Sequence, residues 1–276
     1  MYRTRLTARH GTAGELRSTL RARGLTIAYQ PIINLRTGTI DAMEALARWT
    51  TPSGASVSPA EFIPVAEESG LIGELGAQIL TMAVRDAATW QSLGRTGVRV
   101  NISAHELRTP SFYDEVMRTV GKVGLDPVLL GLELTEAAFA APASPALDAA
   151  GGGTASYTLA RLRAAGVSLM LDDYGSDDAA LAAPKRFRAG DLLKSDRSVR
   201  LAAETCPEAA AAMRRLVTTG HAHDLGLCAE GVENAAQHAR DVDLGCDYAQ
   251  GYHFARPTTP EMVPMMLQAW APFLPA

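Results

Sequence analysis

A single α/β barrel of the TIM type is the fold that this sequence predicts. Strand-like and helix-like segments alternate along the chain, which is typical of a parallel sheet covered by helices. The length of 276 residues suits one such barrel, and a hydrophobic content of 47% supplies a large core. Charged residues make up only 20% of the chain, which argues against disorder.

Charge and cysteine content narrow the functional classes. The formal net charge of -4 gives no reason to expect nucleic-acid binding. Cys206, Cys228 and Cys246 are odd in number and far apart, so neither a disulfide framework nor a Cys-x-x-Cys zinc site is indicated. The N-terminus lacks the apolar stretch of a secretory signal, and no run is long and apolar enough to cross a bilayer. We therefore expect a cytoplasmic protein without membrane contact.

The first part of the chain predicts a leader helix and a hairpin. Residues 1–24 are rich in arginine and helix formers, so they are interpreted as an N-terminal leader helix and linker, and 25–276 as the barrel. Residues 26–34 and 39–49 have strand composition and flank the turn Arg36-Thr37-Gly38, which indicates a hairpin. Ser58, Pro59 and Glu61 form a capping box that starts a helix ending near Ser69. A second helix is predicted over 72–93.

From there strands and helices alternate regularly. Strands are predicted at 98–102, 129–135, 167–171, 191–194, 226–230 and 247–250, and helices at 112–123, 157–165, 208–225, 234–241 and 259–270. Residues 137–156 are rich in Ala, Pro and Gly without a helical or strand period, so they are interpreted as a flexible insertion.

The stretch Val167–Gly175 carries the first sign of chemistry. Its apolar strand ends in the adjacent carboxylates Asp172 and Asp173. Two such neighbours repel each other, and a hard divalent cation between them keeps both ionised. A helix-capping aspartate at the end of an ordinary strand explains Asp172 and Asp173 equally simply.

The other strand ends are also polar, and barrel active sites lie at the carboxyl ends of the strands. The side chains at these positions are Glu44, Asn101, Glu133, Asp172, Asp173, Lys194, Glu230 and Gln250. Such a set of oxygen donors with one cation suits two-metal hydrolysis of a phosphoryl ester. It suits magnesium-assisted proton abstraction next to a carboxylate equally well, with Lys194 as the base. Composition and spacing leave both open.

An ordered set of short motifs resembles the EAL family of cyclic di-GMP phosphodiesterases. The motifs run from about residue 25 to 260 in the family's order. They are Tyr29-Gln30-Pro31, Glu44-Ala45-Leu46, Phe62-Ile63-Pro64-Val65-Ala66-Glu67, Asn101-Ile102-Ser103, Glu133-Leu134-Thr135-Glu136, Asp172-Asp173-Tyr174-Gly175, Leu193-Lys194, Ala229-Glu230-Gly231-Val232-Glu233 and Gln250-Gly251-Tyr252. The resemblance implies a modified (β/α)8 barrel whose first strand runs antiparallel, which agrees with the hairpin.

The resemblance also implies metal ligands and catalytic groups. It places the first divalent ion, Mg²⁺ or Mn²⁺, on Glu44, Asn101, Glu133 and Asp172. A second ion would be held by Asp172, Asp173 and Glu230, and Ca²⁺ would bind without supporting turnover. Lys194 would orient or deprotonate the attacking water, with orientation favoured. Lys194, Glu44, Glu230 and Asp173 are thus the expected catalytic residues.

The implied substrate is cyclic di-GMP, opened to linear pGpG by metal-activated water. The positions that match substrate-contacting residues are Gln30, Leu46, Arg48, Glu67, Glu233 and Gln250. Arg48 suits a phosphate because its planar fork donates two hydrogen bonds at once. The family also implies a homodimer.

One departure from the family pattern supports an alternative function. The family usually continues after its Asp-Asp-Phe-Gly with Thr or Ala and then Gly-Tyr-Ser-Ser-Leu, but here Gly175 is followed by Ser-Asp-Asp-Ala-Ala-Leu over 176–181. Glu136 matches the glutamate that anchors this loop, yet some of its partners are replaced. The alternative is a catalytically weak or inactive EAL domain that acts as a cyclic di-GMP receptor and passes the signal to a protein partner.

Overall fold

The fold was analysed in a computed structural model that describes residues 12–135, 154–174, 191–195 and 197–273, apart from the side chains at 154, 173 and 174. Within these ranges nine strands form one sheet, and eight of them close into a barrel. In chain order the strands are β1 (Thr26–Asn34), β2 (Ile40–Thr50), β3 (Ser56–Val57), β4 (Gly97–Ile102), β5 (Leu130–Thr135), β6 (Ser168–Tyr174), β7 (Leu192–Ser195), β8 (Gly226–Ala229) and β9 (Tyr248–Ala249). The short strand β3 pairs only with the end of β2 and stands outside the barrel.

The predicted antiparallel first strand is confirmed. Strand β1 pairs antiparallel with both β2 and β9, whereas β2 and β4 to β9 run parallel to one another. The reversal follows from the tight connection after β1, where the Asn34 side chain accepts hydrogen bonds from the backbone of Arg36 and Thr37 at 3.1 Å each. Such an Asx turn reverses the chain within a few residues. It leaves no room for a crossover helix, so β1 and β2 must be antiparallel.

Ten helices lie in the described part of the chain. They are α1 (Ala13–Arg21), α2 (Pro59–Glu68), α3 (Ile72–Trp90), α4 (Ala104–Arg108), α5 (Phe112–Val123), α6 (Thr154–Ala164), α7 (Arg197–Thr205), α8 (Pro207–His221), α9 (Ala235–Leu244) and α10 (Val263–Ala269). Short 3₁₀ turns occupy Gln91–Leu93, Pro127–Leu129 and Pro260–Met262. The predicted capping box of α2 is present, because Glu61 accepts hydrogen bonds from the Ser58 backbone at 3.1 Å and from its hydroxyl at 2.7 Å.

Two helices were not anticipated. Helix α4 is too short for a hydrophobic period, although its capping box of Ser103 and Glu106 is visible in the sequence. Helix α7 follows β7 directly, in a stretch for which no helix was predicted. Helix α8 ends at His221 rather than 225, since the chain turns there and Asp224 takes a left-handed conformation with φ of 58°. Helix α6 begins inside the predicted insertion 137–156, most of which lies outside the described residues.

Helix α1 is packed on the barrel. Its Leu16 and Leu20 are buried in the main core, and the indole nitrogen of Trp49 on β2 donates to Thr19 at 3.0 Å. Gln78 on α3 donates to the Leu20 carbonyl at 2.8 Å. The division into a leader over 1–24 and a barrel over 25–276 stays a prediction, since residues 1–11 lie outside the described part. No helix within the described ranges is long and apolar enough to span a membrane.

A small apolar cluster lies below the barrel mouth. Its buried members, from five strands, are Ile32, Ala42, Met170, Leu192 and Cys228. Successive strand side chains alternate between the two faces of the sheet, so residues two apart share a face. Each member is therefore on the same face as a polar residue two positions away along its strand. Ala42 shares its face with Glu44, and Leu192 shares its face with Lys194. The apolar cluster therefore lies directly beneath the polar side chains inside the barrel.

Helix α9 contains a buried carboxyl group, Asp241. Burial disfavours its ionised form. Neither side-chain oxygen has a hydrogen-bond partner within the described structure, and the residue is 1% exposed. Burial raises the pKa of Asp241 to about 7, despite the attraction of Arg200 and Arg240. The folded protein thus keeps a proton that the unfolded chain releases near its ordinary pKa of about 4.

This proton gives a pH-dependent stability. Between about pH 4 and about pH 7 the folded state binds more protons than the unfolded state at this residue, so its contribution to the free energy of unfolding falls as pH rises. We expect Asp241→Asn, which has no such proton, to gain stability relative to the wild-type chain across that window. Urea unfolding of both chains at pH 5 and pH 7.5 measures this. An equal stability difference at both pH values would show that Asp241 does not titrate there.

Candidate active site

The predicted strand-end residues converge on Lys194. Its ammonium nitrogen lies 2.8 Å from Glu230 Oε1, 3.2 Å from Glu44 Oε2 and 3.2 Å from Glu133 Oε2. Asp172 Oδ1 follows at 3.8 Å. Four of these side chains lie on four different strands and Glu230 directly follows a fifth, so the barrel is what brings them together. We refer to Lys194, Glu44, Glu133, Asp172 and Glu230 as the carboxylate–lysine cluster.

Amide side chains fix the position of Glu44 in this cluster. Its Oε1 accepts a hydrogen bond from Asn101 at 3.0 Å, and its Oε2 accepts one from Gln250 at 2.7 Å. Gln250 also donates weakly to Gln30 at 3.4 Å, and Gln30 donates to the Ala255 carbonyl at 3.0 Å. Glu44 is therefore held by three donors, counting Lys194, while Asn101 reaches the exposed rim of the barrel mouth.

The protonation states follow from burial and charge. Burial alone would lower the pKa of Lys194, but Glu133, Glu44 and Asp172 hold this pKa well above its ordinary value. In this arrangement the surrounding carboxylates therefore favour the charged form of Lys194. The role of Lys194 in turnover, orienting or deprotonating the attacking water, stays a prediction.

The carboxylates carry more negative charge than Lys194 balances. Burial and then the neighbouring Glu44 raise the pKa of Glu133 to about 8, so Glu133 holds a proton at neutral pH. Burial also acts against ionised Glu44, yet Lys194 and the hydrogen bonds from Gln250 and Asn101 lower its pKa. Glu230 has a pKa raised mainly by burial. The cluster therefore has room for additional positive charge.

The donor chemistry of the cluster fits a hard divalent cation. Glu133 Oε1 and Gln250 Oε1 are buried without a hydrogen-bond partner among the described residues. Carboxylate and amide oxygens are the ligands that Mg²⁺ and Mn²⁺ prefer. No group of three acidic, cysteine or histidine side chains in the described ranges is already arranged to chelate a metal. The Lys194 ammonium occupies the point where the carboxylates meet.

A cleft with a cavity volume of about 290 Å³ opens beside the cluster. It is lined by Gln30, Arg197, Glu230, Gly231, Glu233, Gln250, Gly251 and Tyr252. Arg197 and Glu233 form an ion pair across its edge, and Tyr252 is 53% exposed with the Arg256 guanidinium 4.4 Å above its ring. The cleft thus offers hydrogen-bond donors, one cationic group and one aromatic face to a polar ligand.

Sequence reasoning did not select Arg197, Tyr252 or Arg256 as site residues. Tyr252 could have been predicted as a site residue, because it is the last residue of the Gln250-Gly251-Tyr252 motif. Arg197 and Arg256 resemble ordinary surface charges, and only the fold shows that they face the cleft or its aromatic side chain.

Three predicted substrate contacts are not among the residues that line this cleft. Arg48 donates to the Ala47 carbonyl at 3.0 Å and lines a separate cavity of about 920 Å³, near the start of β1. Leu46 is half-buried on β2, and Glu67 is exposed on α2. The roles of these three residues stay predictions. Asp173 belongs to β6 but its side chain lies outside the described structure, as do Glu136 and the loop 176–181.

Comparison with known proteins places the chain in a family. A family model described as EAL domain matches residues 13–257. The chain is 35% identical over 257 residues to a protein of Mycobacterium tuberculosis, covering 92% of this chain and 40% of that protein. It is 32% identical over 251 residues to the bifunctional diguanylate cyclase/cyclic di-GMP phosphodiesterase MucR of Pseudomonas aeruginosa, covering 90% of this chain and 35% of MucR. The chain thus spans two fifths or less of these relatives.

Solved structures agree with the sequence relatives. The phosphodiesterase PaMucR in complex with c-di-GMP superposes with a TM-score of 0.79 at 32% identity, over 91% of this chain and 98% of that one. The EAL enzyme Bd1971, in a form bound to cAMP and cyclic di-GMP, gives a TM-score of 0.82 at 26% identity, over 92% of this chain and 68% of that one. This chain belongs to the EAL domain family.

Proposed function

We propose that the chain is a metal-dependent phosphodiesterase that hydrolyses cyclic di-GMP to linear pGpG. The observation that carries the proposal is the carboxylate–lysine cluster, which lies at the mouth of an EAL-type barrel beside an open polar cleft. Membership of the family and the similarity to MucR support the substrate.

The metal ligands proposed are Glu44, Asn101, Glu133, Asp172, Asp173 and Glu230, which would hold one or two Mg²⁺ or Mn²⁺ ions. When bound, such ions lower the pKa of water and stabilise charge on the leaving oxygen. Loss of the proton from Glu133 would accompany binding, because a bound cation would favour the ionised form of a carboxyl group whose pKa is raised first by burial and then by Glu44.

The side chains of the chain itself would position the reactants. Lys194 donates hydrogen bonds to Glu44 and Glu133, so it would orient the attacking water and stabilise negative charge that develops on the phosphate. Gln30, Glu233 and Gln250 line the cleft and would hold the nucleotide by hydrogen bonds. A homodimer and a protein partner remain proposals from the family resemblance alone.

The test is incubation of the purified chain with cyclic di-GMP and Mn²⁺, followed by chromatography for pGpG. Parallel samples contain Ca²⁺ or a chelator in place of Mn²⁺. We expect pGpG in Mn²⁺ and intact cyclic di-GMP in both controls. Intact substrate in Mn²⁺, combined with measurable nucleotide binding in Ca²⁺, would overturn the enzyme proposal in favour of the receptor that the altered sequence at 176–181 suggests. Absence of binding as well would remove both.

A further inference from the structure

Arg200 is a buried cation that contacts backbone rather than a ligand. It lies on α7 and is 2% exposed. Its Nε donates to the Glu230 carbonyl at 2.6 Å, and its Nη2 donates to the Gly231 carbonyl at 2.7 Å. The guanidinium group thereby forms hydrogen bonds with two successive peptide carbonyls of the segment that follows β8. Arg200 does not line the cleft, so it touches this segment from the buried side.

The same guanidinium is tied to the next part of the segment. Nη1 of Arg200 contacts Glu204 Oε1 at 3.3 Å, and this oxygen accepts a hydrogen bond from Gln237 Nε2 at 2.8 Å. Gln237 Oε1 in turn accepts from the Glu233 backbone at 2.6 Å. Residues 230–233 are therefore held at both ends by one continuous network that starts at Arg200.

The opposite side of the segment is held by the same helix. Arg197, one turn before Arg200, pairs with the Glu233 side chain at the cleft. Gly231 takes a left-handed conformation with φ of 68°, and a Cβ there would lie 3.0 Å from Arg197 Cδ. Helix α7 thus places Arg200 on one side of this turn and Arg197 on the other. The turn contains a backbone conformation, at Gly231, that only glycine adopts easily.

The turn carries Glu230, whose carboxylate lies 2.8 Å from Lys194 Nζ. Lys194 is the penultimate residue of β7, and α7 begins three residues after it, so the helix connects the two groups. We infer that Arg200 is a positioning residue that sets the place of Glu230 relative to Lys194 through the Glu230 and Gly231 carbonyls. As a role in turnover, this inference rests on the proposed function; as a role in holding the turn, it does not.

The test compares Arg200→Lys with Arg163→Lys. Lysine keeps the charge but lacks the planar fork, so it cannot bind both carbonyls in the same way. Arg163 is the control because it is also an arginine with little exposure, 13% of its side chain, but it pairs with Asp191 at the other end of β7 through contacts of 2.9 Å and 2.5 Å. Glu204→Gln is the second variant, which weakens the network without removing Arg200.

Two readouts separate positioning from general destabilisation. For Arg200→Lys we expect kcat about 10- to 100-fold lower with KM changed less than about threefold, because a small misplacement of a catalytic group slows the reaction more than binding. We also expect amide hydrogen exchange at Val232 and Glu233 to accelerate about tenfold. Glu204→Gln should shift both in the same direction by less, and Arg163→Lys should change neither.

The exchange measurement decides the inference even if the chain does not hydrolyse cyclic di-GMP. Unchanged exchange at residues 232–233 in Arg200→Lys, or equal acceleration there in Arg163→Lys, would overturn it. If exchange accelerates as expected but the wild-type chain forms no pGpG, the positioning contact stands and the proposed function fails.

Discussion

Replacing Lys194 with methionine is expected to reduce cyclic di-GMP hydrolysis by about 10²- to 10⁴-fold, the range typical for loss of a group that positions protons or stabilises transition-state charge. Methionine fills a similar volume but removes the cation that four carboxylates surround. Chromatographic measurement of pGpG formation in Mn²⁺ tests the expectation. Lys122→Met, on the exposed surface of α5, is the control and should retain full activity.

The same variant should lose stability in the absence of metal. Removing one partner from a buried ion pair leaves uncompensated charge, which costs about 3–5 kcal/mol. A divalent ion would supply the missing positive charge, so Mn²⁺ should raise the melting temperature of Lys194→Met more than that of the wild-type chain. Equal metal-induced shifts in both chains would contradict the view that Lys194 and the metal balance the same carboxylates.

Glu44→Gln is expected to reduce the rate of cyclic di-GMP hydrolysis by about 10³-fold, which is within the range expected for Lys194→Met. The Glu44 carboxylate accepts hydrogen bonds from the side chains of Asn101, Gln250 and Lys194. A glutamine at this position has one oxygen and one NH₂ group, so at least one of these donors would face another donor. The substitution also removes a negative charge from the proposed metal site.

The measurement for Glu44→Gln is pGpG formation together with calorimetric titration of Mn²⁺. We expect both to be lost, while Glu68→Gln on the exposed end of α2 should leave both unchanged. Hydrolysis at the wild-type rate in Glu44→Gln would show that the reaction does not depend on this side of the cluster.

The convergence of the strand ends was predictable from the sequence. Polar residues such as Glu133 and Lys194 follow short apolar strands, and parallel strands of a barrel end on one face. The structure confirms that prediction for the cluster. The hairpin at 26–50 was predictable for a similar reason, since its connection is too short for anything other than an antiparallel pair.

The contribution of α7 could not be predicted in the same way. In the sequence Arg197 and Arg200 are two arginines three residues apart, which is the pattern of an ordinary solvated helix face. Only the tertiary structure shows that Arg200 is buried against two carbonyls. Asp241 is a comparable case, because local sequence gives no sign that the side chain of this helical aspartate has no hydrogen-bond partner among the described residues.

The most direct test of the proposed function is the initial rate of pGpG formation across a Mn²⁺ titration of the wild-type chain. We predict a rate that is zero in chelator, rises with Mn²⁺ and saturates, because the carboxylate–lysine cluster would act only once a divalent ion neutralises its excess negative charge. Cyclic di-GMP that stays intact at saturating Mn²⁺, or hydrolysis that persists in chelator, would contradict the assignment of this cluster as a metal-dependent phosphodiesterase centre.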